Sequence, residues 1–240
     1  MIVDSSALPE QVTRDVISSA FQSAGQRCSA LRVLFVQEDV ADQMIAMVAG
    51  AMRALKVGDP SKLTTDVGPV IDNGARRLLD EHIEWLDQNA VKVCRLDQPA
   101  EAENGCFVAP AFYELQSLNQ LKHENFGPVL HVIRFPAEGL EQVVRDINAT
   151  GYGLTLGLQS RIDTVRDYVE EHARVGNFYV NRNQIGAIVE SQPFGGEGLS
   201  GTGPKAGGPH YVARFATERV TCIDTTAAGG NASLMAALEG

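Results

Sequence analysis

Between residues 9 and 180 the sequence alternates stretches of helical periodicity with short β-prone runs. This pattern restricts the chain to an α/β fold: a largely parallel sheet flanked by helices. Val12, Val16, Ala20, Phe21 and Ala24 recur at steps of mostly three and four, with Pro9 suited to a first turn. They predict one helix over 9–24, ended by Gly25. Leu31 to Val36 reads as a short buried strand, which puts Cys28 on the tight connection between that helix and that strand. Val40, Met44, Val48, Met52 and Leu55 mark a second amphipathic helix, closed by Gly58-Asp59-Pro60, with its methionines as core packing. A third helix is predicted over 73–89. Strand-like runs at 91–94, 107–109, 129–135, 155–158 and 177–180 then alternate with helices near 139–148 and 162–172.

After Asn181 the alternation stops and a glycine-rich stretch from Phe194 to Pro209 takes over. A loop of this length is usually functional or a linker. The last dozen residues, rich in Ala and Gly, read as a loosely held tail.

Charge narrows the partners. Thirty acidic against 20 basic side chains give a net charge of −10, which repels nucleic acid and anionic membrane surfaces and favours soluble small molecules. The N-terminal residues lack the basic stretch and apolar run of a signal peptide, and no transmembrane run occurs, so a cytoplasmic location is expected. The four cysteines, at 28, 94, 106 and 222, and the five histidines show no metal-ligand spacing, so no metal site is expected.

Two segments carry candidate chemistry. Cys28, on a turn beside Arg27 and followed by N–H groups outside any sheet ladder, has surroundings that favour a thiolate and could hold an oxyanion. A lone cysteine is also a common packing residue. In Glu124-Asn-Phe-Gly-Pro128 a carboxylate that could take two ribose hydroxyls stands two residues from a ring that could pack on a flat heterocycle. A solvated acid and a core aromatic would give the same spacing. A literal GxGxxG, Gly196 to Gly201, is rejected as a dinucleotide fingerprint because no strand leads into it and Gly203-Pro204 follows where a helix should open.

Taken together, Gly25-Gln-Arg-Cys28, Glu124-Asn-Phe-Gly-Pro128 and Pro193-Phe-Gly-Gly196 resemble, in order and interval, three motifs of the aldehyde dehydrogenase superfamily. Within it, Ala24 to Arg32 and Gly186 to Pro209 are most similar to the L-glutamate-γ-semialdehyde (1-pyrroline-5-carboxylate) dehydrogenases, including the C-terminal dehydrogenase part of bifunctional proline utilization A proteins. The resemblance runs from Met1 to about Asn231. It implies an aldehyde dehydrogenase catalytic domain over 1–217, then an oligomerisation-flap strand and tail over 218–240, in a parent that is a homo-oligomer. It also implies oxidation of glutamate γ-semialdehyde to glutamate with NAD, in proline catabolism. Cys28 would be the nucleophile, Glu124 the nicotinamide-ribose acceptor and Phe126 a ring against the nicotinamide. Gly186 and Ala187 would anchor the substrate α-carboxylate through backbone N–H groups, with Ser29 adding a hydroxyl and Phe194 packing on the aliphatic stem.

By the same resemblance, the Rossmann-type domain that holds most of the dinucleotide, the glutamate that activates water and the oxyanion-hole asparagine belong upstream of Met1. These 240 residues alone are therefore expected to show little or no turnover. A non-catalytic module used for assembly is the alternative. A cysteine hydrolase would need a histidine base that no sequence feature nominates.

Overall fold

The computed structural model describes residues 1–186, 188, 190–224 and 232–238, and divides the chain into two units, Met1–Gly208 and Pro209–Gly240. In chain order the first unit contains β1 (Ile2–Val3), α1 (Pro9–Phe21), β2 (Val33–Gln37), α2 (Glu38–Met52), α3 (Asn73–Asn89), β3 (Val91–Arg95) and β4 (Ala111–Leu115). It continues with β5 (Val129–Phe135), α4 (Leu140–Ala149), β6 (Tyr152–Gly153), β7 (Thr155–Gln159), α5 (Asp163–His172), β8 (Asn177–Val180) and β9 (Glu197–Gly198). In the second unit the described residues include a 3-10 turn, Val212–Phe215, and a short helix, α6 (Ala232–Leu238).

Seven strands form one sheet in the order β3-β4-β5-β2-β1-β7-β8. Every neighbouring pair is parallel except β3 with β4 at one edge. This is the expected α/β architecture with a largely parallel sheet. Ile2 and Val3, fully buried, pair with β2 on one side and β7 on the other, so a two-residue strand closes the middle of the sheet. Helices α1 and α2 pack on each other and against β5, burying Val12, Val16, Ala20, Met44, Val48 and Met52. The methionine stripe is therefore core. Helix α3 begins where Asp72 accepts from the Ala75 N–H and buries Leu79, Ile83 and Leu86.

Several boundaries differ from the sequence expectation, among them that of α2, which ends at Met52 rather than beyond Leu55. Helix α1 ends at Phe21, because Ser23 and Ala24 take positive φ (57° and 53°) in a 3-10 turn that swings the chain toward Cys28. The run 107–109 is buried, but the strand there is β4, over 111–115. Pro110 has no N–H for a ladder, and pairing with β5 starts at Ala111 opposite Val129. The run read as a loose tail holds α6, whose Ala and Leu residues are strong helix formers.

The glycine-rich stretch is pinned rather than free. Strand β9 pairs with β6, and Phe194 and Ala206 exchange two backbone hydrogen bonds (3.0 and 2.9 Å). No helix follows Gly201 before the 3-10 turn at Val212, so the GxGxxG there lacks the strand-to-helix context of a dinucleotide loop.

Candidate active site

Strands β2 and β5 are parallel neighbours with Val33 opposite His131, so the segments that lead into them arrive side by side at the N-terminal ends of these two strands. Those segments are Gly25–Arg32 and Glu124–Pro128. The tightest approach is at Gly25, whose φ of +64° suits glycine and where a Cβ would sit 2.2 Å from the Gly127 carbonyl oxygen. Any side chain there would push the two loops apart.

Cys28 is exposed at the top of its loop. The Ala30 N–H donates to the Arg27 carbonyl (3.0 Å) and the Leu31 N–H to the Ser19 carbonyl (2.9 Å), which closes the turn beneath it. Those two N–H groups are thus committed to the turn. The Gln26 side chain ties the loop to the chain before α3, accepting from the Ile71 N–H (2.8 Å) and donating to the Pro69 carbonyl (3.3 Å). Arg27, the expected cation, donates to Ser23 Oγ (3.1 Å).

Arg32, to which the sequence motifs assign no role, occupies the space between the loops. Its Nη1 donates to the Gly25 carbonyl (2.6 Å) and to the Gly127 carbonyl (3.4 Å), and its Nη2 to the Arg27 carbonyl (3.2 Å). The same guanidinium lies 4.6 Å from the centre of the Phe126 ring, and its Nε is 3.6 Å from Glu124 Oε1. Burial lowers its pKa, while the negative charges of Glu124 and of an ionised Cys28 oppose that shift. A signal for it existed: a charged side chain opening an apolar strand run needs a partner.

Glu124 and Phe126 remain about two-fifths exposed, at 40% and 42%, so a carboxylate and a ring face are both open to a ligand.

On the other side of Cys28, residues 181–186 run the length of α1. Gln11 Nε2 donates to the Asn181 carbonyl (2.5 Å), the Gln184 N–H to Ser19 Oγ (3.1 Å), and the Gly186 N–H to Ser29 Oγ (3.4 Å). Ser29 is buried and Gly186 meets it directly. A Cβ on Gly186 would sit 2.4 Å from both the Phe194 ring and the Tyr179 hydroxyl, so only glycine lets the loop lie this close to Phe194. Gln192 Nε2 braces the loop, donating to Tyr179 Oη (2.8 Å) and to the Gly186 carbonyl (3.3 Å). Arg182 adds a bond to the Ile185 carbonyl (3.0 Å) and lies 4.5 Å from the Tyr179 ring centre.

The structure thus brings the expected residues into two groups: Ser29, Gly186 and Phe194 on one side, Glu124 and Phe126 with Arg32 on the other, and Cys28 on the loop that joins them. Ala187 lies outside the described residues. Among the described residues no cluster of three or more His, Cys, Asp or Glu could hold a metal ion, and no helix is long and apolar enough to cross a membrane. His131, bonded to the Arg32 carbonyl, is buried against His82 and is spent on structure.

The model of the aldehyde dehydrogenase family matches residues 1–221. The bifunctional protein PutA of Klebsiella aerogenes is 54% identical over 224 residues, which is 91% of this chain and 17% of that protein. A crystal structure of bifunctional proline utilization A (PutA) superposes with a TM-score of 0.89 at 59% identity, covering 95% of this chain and 23% of that one. A 1-pyrroline-5-carboxylate dehydrogenase from Thermus, crystallised with bound NAD, superposes with a TM-score of 0.80 at 32% identity, covering 89% of this chain and 41% of that one. The chain therefore spans less than half the length of each of these relatives.

Proposed function

This chain belongs to the aldehyde dehydrogenase family, and we propose that it forms the thiol-bearing part of an enzyme that oxidises L-glutamate γ-semialdehyde to L-glutamate. The observation that carries this reading is the adjacency of Ser29 and Gly186 beside an exposed Cys28. The Gly186 N–H, held to Ser29 Oγ by a long 3.4 Å bond, would exchange that bond for a carboxylate oxygen, and the Ser29 hydroxyl, next in sequence to the nucleophile, would donate to the same group. An aldehyde that carries a carboxylate at its far end fits that arrangement, and the similarity to PutA and to a 1-pyrroline-5-carboxylate dehydrogenase supports it.

Ala187, next in sequence to Gly186, would add a second N–H to the carboxylate. Phe194, against Gly186, would cover the aliphatic stem. The Cys28 thiolate adds to the aldehyde carbon and forms a C–S bond, and the carbonyl oxygen becomes an oxyanion facing the Cys28 and Ser29 N–H groups. Loss of hydride from that carbon leaves a thioester on Cys28. Water then releases the acid and restores the thiol.

NAD, when bound, supplies the hydride acceptor. The open Glu124 carboxylate fits ribose hydroxyls and the open Phe126 ring fits a flat heterocycle, so these two would hold its nicotinamide end. Two such contacts do not make a dinucleotide site. The 240-residue polypeptide assayed by itself is accordingly proposed to show little turnover, with the rest of the NAD site and the hydrolytic base supplied by other parts of a complete enzyme. A cytoplasmic, homo-oligomeric parent is part of the same proposal.

The test is a graft that replaces the matching stretch of the Klebsiella aerogenes relative with this sequence. NADH formation with glutamate semialdehyde is expected, at a kcat/KM well above that for an aldehyde of equal length without the carboxylate. A folded graft that shows no preference between the two aldehydes would contradict the reading.

A further inference from the structure

Five contacts converge on one side chain in a way that no single-loop role requires. Arg32 binds carbonyls on both sides of the nucleophile turn, those of Gly25 and Arg27, and reaches across to the Gly127 carbonyl in the other loop. It also faces both side chains that the proposed function assigns to the cofactor, Glu124 and Phe126. Only a planar fork with several fixed donors can serve three carbonyls and a ring face at once, whereas a lysine ammonium is a single point. The main chain at Arg32 is itself held, because its carbonyl accepts from the His131 N–H (3.0 Å) and from His131 Nδ1 (2.8 Å).

We propose that Arg32 is a positioning residue that locks the Cys28 loop and the Glu124–Phe126 loop into one unit, fixing the thiol relative to the surface that receives the cofactor. The proposal rests on the reading of Cys28 as nucleophile and of Glu124 and Phe126 as cofactor contacts. Its mechanical part is the set of three carbonyl bonds. Arg32 also faces Glu124 while bonding the carbonyls on either side of Cys28, so a change at Glu124 is transmitted to the nucleophile turn. Nε is buried without a hydrogen bond, 3.6 Å from Glu124, which leaves this contact an ion pair that small loop movements can tighten or release.

The experiment measures the alkylation rate of Cys28 in the 240-residue chain by peptide-resolved mass spectrometry, from neutral to mildly alkaline pH, with exposed Cys222 as the internal reference thiol. Four proteins are compared: wild type, Arg32→Lys, Glu124→Gln and the double variant. Glu124→Gln removes the carboxylate that draws Arg32 toward the second loop and leaves the guanidinium to the carbonyls around Cys28, so Cys28 should react about threefold faster at neutral pH. Arg32→Lys keeps the charge and loses the fork, so Cys28 should react on the order of tenfold more slowly and the Glu124→Gln effect should disappear.

Additive effects of the two substitutions, or an Arg32→Lys protein with a wild-type rate profile, would overturn the proposal while leaving Cys28 as nucleophile. If Arg32→Lys fails to fold, Glu124→Gln decides alone: an unmoved Cys28 rate overturns the coupling and a faster rate upholds it. Wild-type labelling of Cys28 no faster than Cys222 would overturn both this inference and the proposed function.

Discussion

The Gly25 backbone and the Gly127 carbonyl approach so closely that a methyl group on Gly25 would sit 2.2 Å from that oxygen. Two loops far apart in sequence are thereby held as one surface, and the left-handed backbone at Gly25 adds a second reason for glycine. Gly25→Ala must move one loop and strain the turn. It is expected to cost about 2–4 kcal/mol in urea unfolding and to slow labelling of Cys28. A variant within about 0.5 kcal/mol of wild type would show that the loops tolerate separation.

Phe194 offers a substitution that separates substrate binding from chemistry. Its main chain is fixed by the exchange of hydrogen bonds with Ala206, so truncating the ring leaves the loop in place while removing the cover over Gly186. In the grafted enzyme Phe194→Ala is expected to raise KM for glutamate semialdehyde about tenfold, with a smaller effect on an aldehyde that lacks the carboxylate. Equal losses for both substrates would remove Phe194 from the carboxylate end.

The histidine pair behind Arg32 predicts a pH dependence of stability. The Arg32 carbonyl can only accept, so His131 Nδ1 carries a proton, and His131 Nε2 accepts from His82 Nε2 across 2.9 Å. Burial pushes His131 down to about 3 and His82 to about 4, from the usual 6.5. Folded, the pair binds fewer protons than the unfolded chain, so its contribution is complete above pH 6.5 and is lost as pH falls toward 4 and then 3. Allowing for partial exposure of His82, stability should drop on the order of 2–3 kcal/mol between pH 7 and pH 5. Urea melts at pH 7 and pH 5 would show it, and His82→Phe should flatten the slope. A wild-type slope unchanged by that substitution would assign the effect to other groups.

Gln192 braces the anchor loop from outside, through Tyr179 and the Gly186 carbonyl. Gln192→Ala is therefore expected to loosen the carboxylate site by roughly 1 kcal/mol, about a fivefold rise in KM with kcat held. A fall in kcat instead would place Gln192 in the chemical step.

How much of this was legible in the sequence varies with the physics involved. Helix α3 could be read to the residue because its buried positions repeat at helical spacing and Asp72 caps it. Strand β1 could not, since two residues carry no periodicity and its central place depends on neighbours more than 30 residues and more than 150 residues away. Cys28, Ser29, Glu124, Phe126, Gly186 and Phe194 can be nominated from the sequence because motif chemistry is local. Their division into two groups cannot, because it depends on β2 and β5 lying side by side and on residues 181–186 tracking α1. Arg32 lies within a motif that gives it no role, since its partners are spread over both loops.

The central claim is that Cys28 carries the substrate. The grafted enzyme, mixed with glutamate semialdehyde and NAD and quenched in acid during turnover, should yield a peptide in which Cys28 bears a five-carbon acyl group that hydroxylamine removes. Cys28→Ala should yield neither adduct nor NADH. An acyl group on any other residue, or turnover that survives Cys28→Ala, would contradict the account.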